Sequence, residues 1–225
     1  AGAGPLPYNS WRGWADSLKE RDLARIWEIE GQGAVRSRPL NPIALSLRLE
    51  AAMSDDAVIV VDGGDFVATA SYVISPRGPL SWLDPGPFGT LGVGAGFALA
   101  AALVRPEAEV WLLYGDGSSG YSIAEFDTFT RHGLGVIAVV GNDASWAQIA
   151  REQVEILGDD VGTVLARTDY HDVAAGFGGA GLLLTDPNQV EAVFKEAKAL
   201  AGQGRPVLIN AHIGPSDFRK GSISM

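Results

Sequence analysis

Residues 110–142 read VWLLYGDGSSGYSIAEFDTFTRHGLGVIAVVGN, and this stretch decides the fold. It predicts a buried strand over Val110–Tyr114 that stops at Gly115, a helix over Ile123–His132, and a second buried strand over Val136–Val140. A helix between two strands is typical of a β-α-β unit, in which the strands are parallel. The same alternation continues along the chain, so we predict an α/β fold, a parallel sheet with helices on both faces.

Other elements follow from apolar spacing and from the positions of Pro and Gly. Helices are expected at 11–30, from 41–42 onward, and at 92–104, 146–157 and 187–200; strands are expected at 57–61, 182–184 and 207–213. Ser10 is expected to cap the first helix, and residues 75–89, rich in Pro and Gly, are expected to form a loop.

Polar residues follow the two strands of the β-α-β unit. Asp116 comes directly after the first strand, and Asn142 follows the second, 26 positions later. Ligands of open α/β sheets bind at the carboxyl ends of the strands, where a carboxylate and an amide oxygen suit Mg²⁺. The backbone N–H groups of Gly117, Ser118 and Ser119 would suit a phosphate. The alternative is that these are ordinary turn residues, since Asp and Asn favour turns.

Gly115-Asp116-Gly117 followed by Gly141-Asn142 resembles the motif of thiamine-diphosphate (ThDP) enzymes, which is GDG and then usually NN. The first Asn of the pair is replaced here by Gly. The resemblance implies the C-terminal, diphosphate-binding (PP) domain of these enzymes, with ThDP and Mg²⁺ as cofactors. It also implies that Asp116, Asn142 and the backbone carbonyl of Ala144 hold the metal ion.

The same resemblance implies further cofactor contacts. The carbonyl of Gly89 would accept from the pyrimidine amino group, and Leu91 would be the apolar wedge that bends the cofactor into a V. The family's activating glutamate lies in another domain and is not in this chain. The remaining implied contacts are Gly63, Gly64, Asp65, Thr90, Ser145 and Trp146. Alternatively, these loops are plain strand-to-helix turns; the run Gly92–Gly96 does not match a dinucleotide fingerprint.

Four segments, GDGSSGYSIAEFDTF, GNDASW, TDYH and DFRKGSIS, look most like 2-hydroxyacyl-CoA lyases of the acetolactate-synthase-like branch. That likeness implies cleavage of an acyl-CoA substrate to an aldehyde or ketone plus formyl-CoA, or the reverse acyloin condensation. Trp146 and Gln148 would face the substrate, and Phe218, Arg219 and Lys220 would contact CoA. The alternatives are an acetolactate-synthase-like carboligase or decarboxylase of 2-oxo acids, and a non-catalytic binding domain of the same fold.

The composition of the chain argues against several kinds of partner and covalent bond. The net charge of −10 argues against nucleic acid as a partner, and the absence of Cys excludes disulfides. No apolar run has transmembrane length and the N-terminus lacks signal-peptide features, which predicts a cytoplasmic protein without a membrane partner. We expect a linker and leading helix over 1–40, the ThDP diphosphate-binding domain over 41–213, and a C-terminal tail, a candidate lid, over 214–225. The resemblance also implies a pyrimidine-binding domain, supplied by a missing N-terminal part or another chain, and a homo-oligomer (dimer or tetramer).

Overall fold

The computed structural model describes residues 11–220 and contains one parallel sheet of six strands in the order β2-β1-β3-β4-β6-β5. The strands are Val58–Asp62 (β1), Trp82–Leu83 (β2), Val110–Gly115 (β3), Val136–Asn142 (β4), Ala180–Leu184 (β5) and Val207–His212 (β6). Because β3 and β4 pair in register from Val110↔Val136 to Gly115↔Gly141, Asp116 and Asn142 end at the same edge of the sheet.

The helices are Arg12–Gly33 (α1), Pro42–Ala52 (α2), Asp65–Ala70 (α3), Gly94–Val104 (α4), Asp116–Ser119 (α5), Glu125–His132 (α6), Ala147–Leu157 (α7), Tyr170–Gly176 (α8) and Val190–Ala201 (α9). Alternate residues of each strand point to opposite faces. Ile59 and Val61 belong to a core shared with α2, α3 and α9, whereas Val58 and Val60 belong to one shared with α4, α6 and α8. The predicted α/β architecture with helices on both faces is confirmed.

Three predicted helices begin two or three residues later than expected. The helix expected from Pro187 begins at Val190, after a 3₁₀ turn at Pro187–Gln189. The helix expected from Gly92 begins at Gly94, because the amides of both glycines are bonded to a buried carboxylate instead of continuing as helix. The helix expected from Ile123 begins at Glu125 after a series of turns. The prediction that residues 75–89 form only a loop was wrong, since they contain the edge strand β2 and a 3₁₀ turn, Gly86–Phe88.

The leading helix α1 packs on α2 through a small part of its surface. Ile29 is its one buried residue, while Trp14 and Trp27 are 60% and 71% exposed. The predicted cap at Ser10 and residues 221–225 of the predicted tail lie outside the described residues. Among the helices of residues 11–220, none is long and apolar enough to cross a membrane.

Candidate functional site

A cleft of about 780 Å³ opens at the carboxyl ends of β1, β3 and β4. It brings together residues that the sequence separates by more than 150 positions. The cleft is lined by thirteen of the predicted site residues, namely Gly63, Gly64, Asp65, Gly89, Leu91, Gly115, Asp116, Gly117, Ser118, Ser145, Trp146, Gln148 and Arg219. The other predicted residues, Thr90, Ser119, Asn142, Ala144, Phe218 and Lys220, lie beside the cleft or away from it.

The carboxylate of Asp116 is held by backbone amides at the first turn of α5. Its Oδ1 accepts from the N–H of Gly117 at 2.8 Å, and its Oδ2 accepts from the N–H of Ser145 at 3.2 Å. Burial raises the pKa of Asp116, and these backbone hydrogen bonds oppose that effect. The two hydrogen bonds therefore fix the direction of the Asp116 side chain.

Asn142 ends β4 and is completely buried. Its Nδ2 donates to the carbonyl oxygen of Thr168 and to Oδ1 of Asn210, both at 3.1 Å. Its Oδ1 has no hydrogen-bond partner among the residues that the structure describes. A buried amide oxygen without a partner costs about 1–3 kcal/mol, so its retention beside Asp116 fits a ligand that the oxygen would bind.

The donor chemistry at this edge of the sheet suits a hard cation. In residues 11–220 no group of three or more His, Asp or Glu side chains is arranged to hold a metal ion. A cation here would depend on Asp116 together with neutral amide and carbonyl oxygens. Mg²⁺ binds through one or two carboxylates plus phosphate oxygens and water, so the residues present fit a magnesium diphosphate.

Ala144 lies in the loop 143–146 that follows β4, which we call the metal loop, and its backbone conformation is unusual. Its φ is +60°, in the left-handed region that a non-glycine residue seldom adopts. Its carbonyl oxygen accepts from the N–H of Leu165 at 2.8 Å, and the N–H of Trp146 donates to the carbonyl of Thr163 at 2.8 Å. A carbonyl oxygen has two lone pairs, so the metal role of Ala144 stays a prediction that this bond permits.

Gly141 stands where the family motif usually has Asn, and the structure gives the reason. A Cβ at Gly141 would lie 2.3 Å from Cγ of Phe66, whose ring fills the space. Phe66 is 3% exposed and belongs to the core below α3. The departure from the motif therefore reflects packing against Phe66, and the ligand position Asn142 is kept.

The wedge predicted at Leu91 lies directly over the first glycine loop. A Cβ at Gly63 would be 2.1 Å from Cδ2 of Leu91, so the two chain segments are in contact only because residue 63 is Gly. Gly64 likewise approaches the backbone of Gly115, where its added Cβ would meet the Cα at 3.2 Å. Gly89 adopts φ +56° after the 3₁₀ turn, while Thr90 is exposed.

The serines of the GDGSS segment are committed to the fold. Ser118 Oγ donates to the carbonyl oxygens of Gly115, at 3.0 Å, and of Asp62, and Ser119 Oγ donates to the carbonyl of Asp116 at 2.7 Å. Their hydroxyls therefore hold α5 in place, so the predicted phosphate contacts of this segment would come from backbone N–H groups. Among these, the N–H of Gly117 already donates to Asp116 Oδ1. Trp146 covers this turn, since a Cβ at Gly117 would lie 2.5 Å from its indole ring.

Charged residues that the sequence did not single out surround the cleft. Arg151 of α7 pairs with Asp65 at 2.6 Å, and Arg167 donates to the carbonyl of Asn142 at 2.7 Å. Burial, with the nearby Asp116 and Asp65, raises the pKa of Asp143 to about 7. Asp65 is thus engaged by a side chain 86 residues away, a pairing without a local sequence signal.

The tail was expected to present three side chains to an acyl-CoA, and in the structure these side chains lie in three different environments. Arg219 is 10% exposed and turns into the cleft, with its Nη1 3.8 Å from Oδ1 of Asp65. Phe218 packs instead against Tyr72, with ring centroids 5.7 Å apart, and beneath the guanidinium of Arg25. Lys220 is exposed at the surface.

Comparisons with known proteins agree with this geometry. Residues 62–211 match the family model described as "Thiamine pyrophosphate enzyme, C-terminal TPP binding domain". Proteins named 2-hydroxyacyl-CoA lyase 2 from Danio rerio and Homo sapiens are 54% and 52% identical over 215 residues, which are 94% of this chain and 35% and 34% of theirs. A Mycobacterium bovis protein named probable acetolactate synthase is 37% identical over 91% of this chain and 37% of its own length.

A solved structure shares the fold. The Rhodococcus jostii RHA1 thiamine diphosphate-dependent 4-hydroxybenzoylformate decarboxylase superposes with a TM-score of 0.73 and 24% identity, covering 82% of this chain and 34% of that one. The chain spans about a third of the length of the curated relatives that it matches. The family match and the shared identity confirm the resemblance in the sequence: the chain belongs to the thiamine pyrophosphate enzymes, as a C-terminal TPP-binding domain.

Proposed function

We propose that this chain supplies the diphosphate- and Mg²⁺-binding part of a ThDP-dependent 2-hydroxyacyl-CoA lyase. The reaction is C–C cleavage to an aldehyde or ketone plus formyl-CoA, or the reverse acyloin condensation. The observation that carries the cofactor role is the buried Oδ1 of Asn142, which accepts no hydrogen bond from residues 11–220 and lies at the edge of the sheet that Asp116 also occupies. The names of the relatives at 52–54% identity support the lyase assignment.

In this proposal Asp116, Asn142 and the carbonyl of Ala144 hold Mg²⁺ against the diphosphate. When bound, ThDP supplies the electron sink for breaking or forming the C–C bond. The N–H groups at the start of α5 would bind phosphate oxygens, Leu91 would support the cofactor, and the carbonyl of Gly89 would accept a hydrogen bond from its amino group. The chain's own contribution is thus binding, orientation and electrostatic stabilisation of the charge.

The substrate is proposed to lie in the same cleft. Trp146, Gln148 and Arg219 line it, which favours a polar head group beside an apolar wall. Arg219 is proposed to contact the substrate inside the cleft, because its side chain turns inward toward Asp65. Lys220 is the tail cation at the surface, so it is the one proposed to pair with CoA phosphates.

The whole enzyme would need residues beyond this chain. We propose that a pyrimidine-binding domain, with the activating glutamate, completes the cleft and that the enzyme is a homo-oligomer. The relative named probable acetolactate synthase favours a second function, a carboligase or decarboxylase of 2-oxo acids. The retention of both proposed metal ligands, Asp116 and Asn142, argues for a domain that still binds the cofactor, and product formation then separates a catalytic domain from a non-catalytic one.

One assay separates these functions. The full-length protein, loaded with ThDP and Mg²⁺, is given a 2-hydroxyacyl-CoA or pyruvate, and formyl-CoA, acetolactate, acetaldehyde and CO₂ are quantified. Formyl-CoA alone supports the lyase, whereas acetolactate, or acetaldehyde with CO₂, formed from pyruvate supports the alternative. None of these products, with tight ThDP binding, supports the non-catalytic domain. Lys220→Ala should raise KM for the acyl-CoA, whereas Lys195→Ala, which removes an exposed lysine of α9, should leave it unchanged.

A further inference from the structure

A buried carboxylate outside the metal site links two loops of the cleft. Asp62 is the last residue of β1 and is 0% exposed. In the described part of the chain no Lys, Arg or His forms an ion pair with it; its partners are backbone amides. Both its oxygens lie 3.1 Å from the N–H of Gly92, and Oδ2 accepts from the N–H of Gly94 at 2.8 Å.

These bonds place a negative charge at the start of α4. The first amides of a helix lack partners within the helix and carry partial positive charge, so a carboxylate there stabilises them. The Asp62 side chain can come this close to the start of α4 only because residue 94 is Gly. An added Cβ there would lie 2.6 Å from Cβ of Asp62 and 2.9 Å from its Oδ2. The Asp62 carboxylate and Gly94 are therefore in close contact, which accounts for glycine at position 94.

The contact has a direct bearing on Leu91. Leu91 immediately precedes Gly92, and its Cδ2 rests on Gly63, which immediately follows Asp62. Two consecutive residues of one loop are thus tied to two consecutive residues of the other. One tie is the charge-assisted hydrogen bond from Gly92 to Asp62, and the other is the apolar contact of Leu91 with Gly63.

We propose that Asp62 is a positioning residue: its carboxylate holds the segment Leu91–Gly94 so that the Leu91 side chain stands over Gly63 and projects into the cleft. The inference rests on the proposed ThDP function, because Leu91 is assigned there to the bent cofactor. Asp62 itself does not line the cleft. It acts on the cofactor only through Leu91, whereas the diphosphate is held separately by the metal ligands.

This separation predicts a particular phenotype for Asp62→Asn in the full-length protein. The amide keeps the shape but puts an NH₂ group against backbone N–H donors, so the segment that carries Leu91 shifts. We expect kcat to fall about 10-fold to 100-fold, the range for one charge-assisted hydrogen bond, with KM and the ThDP Kd within about threefold of wild type. The near-ultraviolet circular dichroism of the bound cofactor should change.

A measurement on the protein without cofactor tests the effect of Asp62 on the segment 91–94 directly. Hydrogen exchange of the apo protein should speed up at the amides of residues 91–94 in Asp62→Asn. The matched control is Asp56→Asn, which changes an exposed carboxylate just before β1 that accepts from Ser54 Oγ, and it should leave exchange and kcat unchanged. If wild type does not bind ThDP at all, the proposed function fails while the exchange result still tests the loop.

A double-mutant cycle decides whether Asp62 works through Leu91. Leu91→Ala should itself lower kcat, and adding Asp62→Asn should lower it little further. Three results would each overturn the inference. The first is a double variant whose kcat loss is the product of the two single losses, and the second is an unchanged circular dichroism of the bound cofactor. The third is a variant that is less stable but whose folded fraction has wild-type kcat. If Asp62→Asn does not fold, Asp62→Ser, which keeps a small acceptor oxygen, is put through the same cycle and the same outcomes apply.

Discussion

Adding one methyl group at Gly141 tests the packing that replaces the first Asn of the family motif. The new Cβ would lie 2.3 Å from Cγ, 2.4 Å from Cδ1 and 2.7 Å from Cβ of Phe66. Carbon atoms in contact prefer about 3.5–4.0 Å, so the ring would have to move by about 1 Å or more. Phe66 belongs to α3 and its side chain is buried in the core, so the ring has little room to move.

The expected cost follows from overpacking. Such insertions cost about 1–3 kcal/mol, and the rigid ring puts Gly141→Ala in the upper half of that range. For a chain of this size, 1 kcal/mol shifts Tm by about 2–4 °C, so Tm should fall by about 4–12 °C. Urea titration and thermal unfolding of the apo protein, followed by circular dichroism, measure the free energy of unfolding and Tm.

Gly96→Ala is the matched control, because Gly96 lies in α4, is exposed, and has nothing within 4 Å of an added Cβ. It should raise stability by about 0.5–1 kcal/mol through helix propensity. Phe66→Leu should rescue Gly141→Ala, with a coupling free energy of about 0.5–3 kcal/mol. Equal stability of Gly141→Ala and wild type, or strict additivity with Phe66→Leu, would refute the packing explanation.

Three further predictions concern the metal site and the opposite end of the sheet. Asp116→Ala should weaken Mg²⁺-dependent ThDP binding by more than about 100-fold in calorimetry while the far-ultraviolet spectrum is kept, and unchanged affinity would contradict the metal assignment. ThDP with Mg²⁺ at 100 times Kd should stabilise the protein by about 2.7 kcal/mol, and EDTA should remove that gain. Burial raises the pKa of Glu109, but hydrogen bonds from Lys198, Trp111 and Ser54 outweigh it and lower the pKa below 4.5. The stability from Glu109 is therefore present above about pH 4.5 and lost as the pH falls below it. Glu109→Gln should be less stable at neutral pH, and its free energy of unfolding should fall less steeply as the pH is lowered. An unchanged acid dependence of the free energy of unfolding would contradict the pairing of Glu109 with Lys198.

Local sequence patterns were enough to predict the sheet and the cleft's position. Val110–Tyr114 and Val136–Val140 are apolar runs of strand length, and the residue types that follow them mark strand ends. The edge strand β2 was missed because two residues between Pro and Gly carry no periodic signal. The placement of Asp116 and Asn142 at one edge then followed from parallel pairing alone.

The partners of the site residues could not be predicted, because they depend on contacts between distant segments. The fit of Gly141 against Phe66 and the ion pair of Asp65 with Arg151 join residues 75 and 86 positions apart. The inward turn of Arg219 also depends on the path of the tail over α3. Motif matching gives residue types at strand ends, whereas the packing that orients them follows only from three-dimensional structure.

The backbone bonds between the metal loop and residues 163–165 bear on the kinetics of cofactor exchange. Ala144 and Trp146 are each fastened by one such bond, and Ser145 forms a bridge with Val164 between them. The metal loop therefore cannot swing open unless the 163–165 segment lifts with it. Substitutions in that segment should change how fast ThDP leaves more than how tightly it binds, which would make the residence time of the cofactor adjustable without altering a single metal ligand.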